Sequence, residues 1–275
     1  MALLLAVHAH PDDESLWTGA LLATWAREGE VELVTCTRGE RGEVIGAELA
    51  HLEGDGPALA AHREGELERA TAELGVHHHA FLDELRRSDG ASELLEDSGM
   101  AWLEEGVAGP AAQVPERAFV RAEVEDVAAS LAAHLERRRP AVVVTYGPDG
   151  GYGHPDHVRA HEVTMRAVEL LGRSGARVPA VLWVVAPGRA EVVGAGPGPS
   201  VAVPLAPVVD VVAAAMRAHA TQVQDVVVDA DTIGFALSND VPLRVGPVET
   251  YELAPGSPWP VTLTEDLEVV DRRVP

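Results

Sequence analysis

Residues 3–15 read LLLAVHAHPDDES, and the fold turns on how this stretch is understood. Leu3, Leu4, Leu5, Ala6 and Val7 are five apolar residues without polar alternation, the pattern of a strand buried on both faces of a parallel sheet. The run stops at His8. Two histidines, three acids and a proline then follow within eight residues. Open α/β sheets bind ligands just beyond the C-terminal ends of their strands, which is where this polar group falls. A second polar group, GYGHPDH at 151–157, follows the apolar run AVVVTY at 141–146. The chemistry depends on whether the two groups meet.

Outward from the first strand, Ser15 to about Ala26 reads as one helix whose apolar face is built from Leu16, Ala20, Leu22 and Ala23. Gly29 ends it, and Glu30 to Thr37 is a second strand. Strand, helix and strand in this order form a βαβ unit and imply a parallel sheet. The loop RGERGEVIG at 38–46 is rich in glycine and charge. It has neither the dinucleotide-binding nor the P-loop spacing, and is expected to border the mouth. Pro57 to Gly75 reads as a helix and Val76 to Leu82 as a third strand. His77, His78 and His79 lie in that strand, where adjacent side chains point to opposite faces, so the three do not converge on one ion.

Residues 83–118, acidic and punctuated by Pro110 and Pro115, read as a long loop with a short helical piece near DSGM (97–100) and Trp102. Val124, Val127, Leu131 and Leu135 recur at helical spacing and place a helix over Glu123 to Arg139. The strand Ala141 to Tyr146, a helix from Asp156 to about Leu171 and a strand from Val178 to Val185 follow. The proline- and glycine-rich region 187–207 favours turns, Val208 to Ala220 is helical, and TIGFAL (232–237) and ETYELA (249–254) are short β pieces. The expectation is an α/β protein with a mostly parallel sheet flanked by helices. It is read as a single domain over 1–275, with a core of about 1–185 completed by a smaller, irregular, β-containing C-terminal portion.

With 275 residues and 47% hydrophobic content the chain can bury a substantial core. Its 44 acidic and 21 basic residues give a net charge of −23, which repels phosphates and anionic lipid and excludes nucleic acid and membrane surfaces as partners. The single cysteine, Cys36, lies in a strand and reads as a core residue. No run approaches the ~20 apolar residues of a membrane helix, and the N-terminal run lacks the basic start of a signal peptide. A cytoplasmic enzyme or binding protein is expected; the sequence sets no oligomeric state.

His10, Asp12 and Asp13 are three ionisable groups at one strand end, costly if buried without partners. Helix capping by aspartate accounts for one acid, not for the group. The second cluster adds His154, Asp156 and His157, with His161 about a turn deeper (~6 Å by helical rise) and suited to packing. His10, Asp13 and His157 together would form a two-histidine, one-carboxylate metal site with open positions, a composition shared by catalytic zinc and non-haem iron. Asp12 is then free to act as a general base, His154 to polarise a carbonyl or stabilise an oxyanion, and Asp156 to orient a histidine. Metal-assisted hydrolysis uses this whole set. An oxygenase and a non-catalytic metal or sugar binder stay open.

AHPDDE at 9–14 followed by GHPDH at 153–157 resembles the zinc-dependent N-acetylglucosaminyl-phosphatidylinositol de-N-acetylase-like family, also called LmbE-like. The resemblance implies a Rossmann-like fold and removal of acetyl from N-acetylglucosamine-type amides. VTCTRGERGEVIG (34–46), HREGEL (62–67), DSGM (97–100), AHATQV (218–223) and LSND (237–240) are similar to the branch serving mycothiol biosynthesis, whose substrate is a small aminosugar–inositol acetamide. The S-conjugate amidase branch, with a larger substrate, is the alternative. By the same resemblance His10, Asp13 and His157 hold Zn2+ (Fe2+ also fits), Asp12 is the general base and His154 the oxyanion and proton-donor residue. Asp156 supports a histidine and Tyr152 reaches the substrate carbonyl, while Arg63 and Asp97 contact the sugar and inositol. The stretch AAHREGEL and the region after DSGM depart from the family pattern at the rim, where substrate size is sensed.

Overall fold

The computed structural model describes residues 2–86, 94–104, 107–185, 200–258 and 268–270. β1 (Leu3–His8) lies inside an eight-stranded sheet, paired in parallel with β2 (Glu30–Thr35) on one side and β6 (Val142–Tyr146) on the other. β2 continues in parallel to β3 (His78–Phe81), and β6 to β7 (Ala180–Val184). The order β3-β2-β1-β6-β7 is that of a Rossmann-like sheet. From β1 the chain winds outward to β3, then returns to the other side of β1. Such a topological switch point opens a crevice beyond the strand ends, and here it lies between the two strands that carry the polar motifs.

β1 earns its central place by composition. Leu4, Leu5, Ala6 and Val7 are wholly buried, and each leucine contributes roughly 1.5–3 kcal/mol by leaving water. Helices α2 (Gly19–Trp25) and α3 (Gly56–Leu74) make the crossovers after β1 and β2. On the β6 side, the short α5 (Gly150–Gly153) leads into α6 (Pro155–Arg173), which packs against α4 (Val124–Arg138). The ends of α3 are set locally. Asp55 accepts from Ala58 N at 3.2 Å, Pro57 stands in the first turn and Gly75 closes the helix at φ 74°.

Four features differ from the expectation. The helix over 15–26 is two helices, α1 (Asp13–Trp17) and α2, broken at Thr18, where φ is −136°. His8 Nε2 lies 2.8 Å from Thr18 Oγ1, which also donates to the Glu14 carbonyl. The amides of Ala20 and Leu21 donate to the Glu249 carboxylate at 2.7 and 2.9 Å. A tertiary cap from 229 residues away thus starts a second helix where periodicity shows one. Instead of a helical piece after DSGM, β4 (Met100–Glu104) and β5 (Val107–Pro110) form an antiparallel hairpin. Its small residues, Ala108 and Gly109, suit close pairing: a Cβ at Gly109 would stand 2.6 Å from Leu103 Cδ1.

The C-terminal part is also more ordered than expected. Residues 200–204 are strand β8 (Ser200–Pro204), not turn. β12 (Val248–Leu253) pairs antiparallel with both β7 and β8, and β13 (Glu268–Val270) pairs with β8. Val201 and Val203 are buried by alternation, a signal too short to stand out among prolines and glycines. β9 (Gln224–Asp229), β10 (Thr232–Ala236) and β11 (Pro242–Val245) form a separate three-stranded sheet after α7 (Val209–Ala218). The turns expected at 187–199 and most of the tail after 258 fall outside the described residues.

Cys36 is buried, and burial pushes its thiol well up, as suits a core residue. The three histidines diverge as the strand rule requires. His77 Nδ1 accepts from Val31 N, His78 faces Glu30, and His79 Nε2 is 3.1 Å from Thr35 Oγ1. Among the described residues no helix is long and apolar enough to cross a membrane.

Candidate metal centre at the switch point

Because β1 and β6 are neighbours, the turn at 9–13 and the loop at 147–157 face each other. His10, Asp13, His154, Asp156 and His157 are all buried there. The Asp13 carboxylate lies between two imidazoles, with Oδ2 3.4 Å from His10 Nδ1 and Oδ1 3.3 Å from His157 Nε2. The far nitrogen of each ring is anchored: His157 Nδ1 bonds the Gly150 carbonyl at 3.1 Å, and His10 Nε2 is 3.3 Å from Asp156 Oδ2. Each ring is thereby turned with its other nitrogen toward Asp13.

His157 Nε2 is sealed from solvent and has no hydrogen-bond partner. With Nδ1 donating to a carbonyl, the Nε2 lone pair of a neutral ring would face Asp13 Oδ1, which is costly unless a cation, a proton or a metal, lies between them. A divalent ion would satisfy both. Ligand atoms of His10, His154 and His157 all lie within 4.8 Å of one another, as do those of His10, Asp97 and Asp156. The chain therefore contains a candidate His/Asp cluster for a divalent metal.

Charge at the cluster is sharply divided. Burial would raise the Asp13 carboxyl, yet His157 and His10 hold it well below the usual range. For His10 the lowering effect of burial is outweighed by Asp97, Asp13 and Asp156, and the imidazole is held well above its ordinary value. His154 goes the other way, pushed well down by burial and then by His10 and His157. Its Nδ1 accepts from Asp156 N at 3.1 Å, capping α6. The neutral ring then carries its proton on Nε2.

Asp12 stands at the start of α1 with φ 138°, and its side chain makes no capping bond. A residue held in so sparsely populated a conformation is fixed by its surroundings. Its Oδ2 is instead 3.2 Å from Arg63 Nη2. Burial raises the Asp12 carboxyl to about 6, Arg63 opposing and Asp13 adding. Arg63 is itself only 2% exposed and donates to the Gly39 carbonyl at 2.7 Å and the Pro11 carbonyl at 2.5 Å. At Gly39, φ is +66° and a Cβ would stand 2.1 Å from Arg63 Nη1. The glycine-rich loop at 38–46 thus makes room for a guanidinium.

Asp97 is buried, accepting from Gly99 N at 2.7 Å and Arg41 N at 3.3 Å, with Oδ1 3.8 Å from His10 Nε2. Asp156 accepts from Ser98 N at 2.9 Å and from Ser98 Oγ. Tyr152 stacks between Trp17 and Trp102, its ring centroid 5.1 Å from that of His157. His161 turns away to the Tyr146 carbonyl at 2.9 Å.

Residues 5–168 match the model of the PIG-L family, GlcNAc-PI de-N-acetylase. The chain belongs to this family. It is 47% identical over 287 residues to the 1D-myo-inositol 2-acetamido-2-deoxy-alpha-D-glucopyranoside deacetylase of Kineococcus radiotolerans, covering 92% of this chain and 77% of that protein. The deacetylase of the same description from Mycolicibacterium vanbaalenii is 42% identical over 282 residues, covering 93% and 92%. Among solved structures, GalB, the 4-carboxy-2-hydroxymuconate hydratase of Pseudomonas putida KT2440, is similar at TM-score 0.57 and 21% identity, covering 80% of this chain and 79% of that one. That likeness is one of fold. PIG-L membership together with the His/Asp cluster makes this chain a metal-dependent amidohydrolase.

Three residues of this PIG-L member have no role in the sequence reading, yet they hold the site. Glu14 Oε2 accepts from Asp12 N at 3.0 Å, and Glu14 Oε1 is 2.6 Å from His219 Nε2. Both side chains are sealed from solvent. The His219 imidazole is raised because Glu14 outweighs its burial. Thr221 donates its amide and hydroxyl to Glu66, fixing the turn that carries His219. Ser98 is the third. The polar AHATQV stretch directly after an apolar helix was the available signal for His219.

Proposed function

We propose that the protein is a zinc-dependent N-deacetylase that hydrolyses the acetamide of 1D-myo-inositol 2-acetamido-2-deoxy-alpha-D-glucopyranoside, the substrate in the names of its relatives, releasing acetate and the free amine used in mycothiol biosynthesis. The observation that carries this reading is the pair of anchored histidines turned toward Asp13, one with an orphaned Nε2. His10, Asp13 and His157 are the proposed ligands. The competing groupings are less suited, because both Asp156 oxygens are taken by Ser98 and His154 Nδ1 caps α6. Nitrogen and carboxylate donors suit zinc, and ferrous iron also fits. The chain is read as one domain.

When bound, the metal lowers the pKa of a water and polarises the amide carbonyl. Asp12, its carboxyl raised toward neutrality and pinned beside Arg63, takes the proton from the water whose oxygen attacks the carbonyl carbon. His154 Nε2–H donates to the carbonyl oxygen as negative charge develops, and Tyr152 is proposed to reach the same oxygen. Asp156 keeps the His10 ring oriented. The C–N bond breaks as the nitrogen takes the proton that Asp12 removed from the water, which returns Asp12 to its carboxylate, and acetate and the amine depart. Arg63 and Asp97 are proposed to meet the buried end of the aminosugar.

An acetate-release assay with the glucosamine–inositol acetamide tests this reading, with chelation and re-addition of zinc or iron. Activity should vanish on chelation and return with metal. A clear preference for a mycothiol S-conjugate would move the assignment to the amidase branch. Oxygen consumption without acetate release would end the hydrolase reading.

A further inference from the structure

We infer that the exposed face of Trp102 is a binding surface for the substrate's outer ring, a hydroxylated saturated ring recognised through its C–H face. The inference deepens the deacetylase reading and rests on it. Trp102 is 45% exposed, a large apolar ring in water at the edge of the mouth. The Trp102 indole lies on Tyr152 at 5.9 Å and 29°, and Tyr152 lies on the buried Trp17 at 6.0 Å and 13°. Three aromatic rings thus form a pile from the core to the surface. The middle ring is 5.1 Å from His157 and 6.1 Å from His154.

The indole is presented on a fixed support. At Gly153 φ is +90°, and a Cβ there would come 2.8 Å from the Ala108 carbonyl oxygen, so β5 rests directly on the backbone of the loop that supplies His154 and His157. The position of Trp102 relative to the candidate metal centre is set by that contact. Stacking on Tyr152 covers one side of the indole and leaves the exposed remainder toward solvent.

The occupant follows from what the inner site cannot reach. Arg63 is 2% and Asp97 4% exposed, so they meet only the part of a substrate inserted deepest. A ring further from the acetamide needs a surface at the rim. A pyranose or cyclitol ring carries a flat C–H face that packs on an indole while its hydroxyls stay in water. An anionic outer group is disfavoured by the chain's net charge of −23.

The test compares the two-ring glucosamine–inositol acetamide with N-acetylglucosamine, using wild type, W102A and W102F loaded with zinc. Trp102→Ala should raise KM for the two-ring substrate by roughly threefold to tenfold with kcat within twofold. It should leave N-acetylglucosamine unaffected, and Trp102→Phe should restore most of the loss. Equal losses on both substrates would show that Trp102 only props Tyr152, and unchanged kinetics would show that it does nothing; either overturns the inference. Melting curves identify a loss due to misfolding; in that case Trp102→Leu, apolar but without a flat ring face, decides by the same KM comparison. A wild type that hydrolyses neither acetamide would remove the deacetylase reading, and this inference with it.

Discussion

His219 Nε2 lies 2.6 Å from Glu14 Oε1, and the two side chains, 205 residues apart, are both closed off from solvent. Glu14 uses its other oxygen to hold the amide of Asp12. A turn from the C-terminal part of the chain thereby fixes the backbone of the proposed general base. His219→Ala should lower kcat by roughly tenfold to a hundredfold, the scale of a misplaced catalytic group, with a smaller change in KM. Glutamine at 219 can still donate to Glu14 and should recover part of the rate. Equal kcat for H219A and wild type would remove the positioning role.

Asp12 and His157 should fail differently. Asp12→Asn keeps a small polar side chain on the strained backbone but removes the base, so turnover should drop by at least ~10²-fold, the lower range of general-base effects. The metal should stay bound. His157→Ala should lose the metal itself. Metal analysis beside initial rates separates the two, and full metal content in H157A would contradict the ligand assignment.

Gly39 should not tolerate a side chain. Its φ of +66° and the 2.1 Å approach of a Cβ to Arg63 Nη1 predict that Gly39→Ala costs about 1–3 kcal/mol, read as a fall in Tm. Activity should fall too, because the displaced guanidinium is the partner of Asp12. Alanine at Gly46, which also has positive φ but open space around it, should leave activity close to wild type.

Glu249 gives stability a pH dependence of known sign. Burial raises its carboxyl from 4.5 to about 7, its hydrogen bonds to Tyr251, Ala20 and Leu21 only partly offsetting this. The folded chain therefore holds this proton at pH values where the unfolded chain has lost it. Its contribution is fully present below about 4.5 and is lost as pH rises through about 7, on the order of 3 kcal/mol in all. Glu249→Gln removes the titration while keeping an acceptor for the α2 amides. The Tm of wild type minus that of E249Q should decline from pH 5 to pH 8; a flat difference would refute the assignment.

Much of this architecture is legible locally. Five apolar residues before His8 announce a strand buried on both faces, and the run before Gly147 announces another, because full burial leaves no room for alternation. HPDDE and GHPDH each gather acids and bases that no strand end collects for packing alone. Reading them as one site required β1 and β6 to be neighbours, and the parallel pairing Leu4↔Val142 to Ala6↔Val144 makes them so.

The sequence by itself determined the strand and helix periods, the polar residues at two strand ends and the family. The tertiary structure decided what depends on contacts between distant segments. Thr18 breaks a helix because His8 and Glu249 reach it and its neighbours from other strands. Arg63 is buried because Gly39 vacates the space its guanidinium fills. Glu14 and His219 are joined only by the packed fold. Periodicity records which face of an element is apolar, whereas partners for buried charge are chosen by three-dimensional proximity, and at this switch point that proximity supplies most of the candidate site.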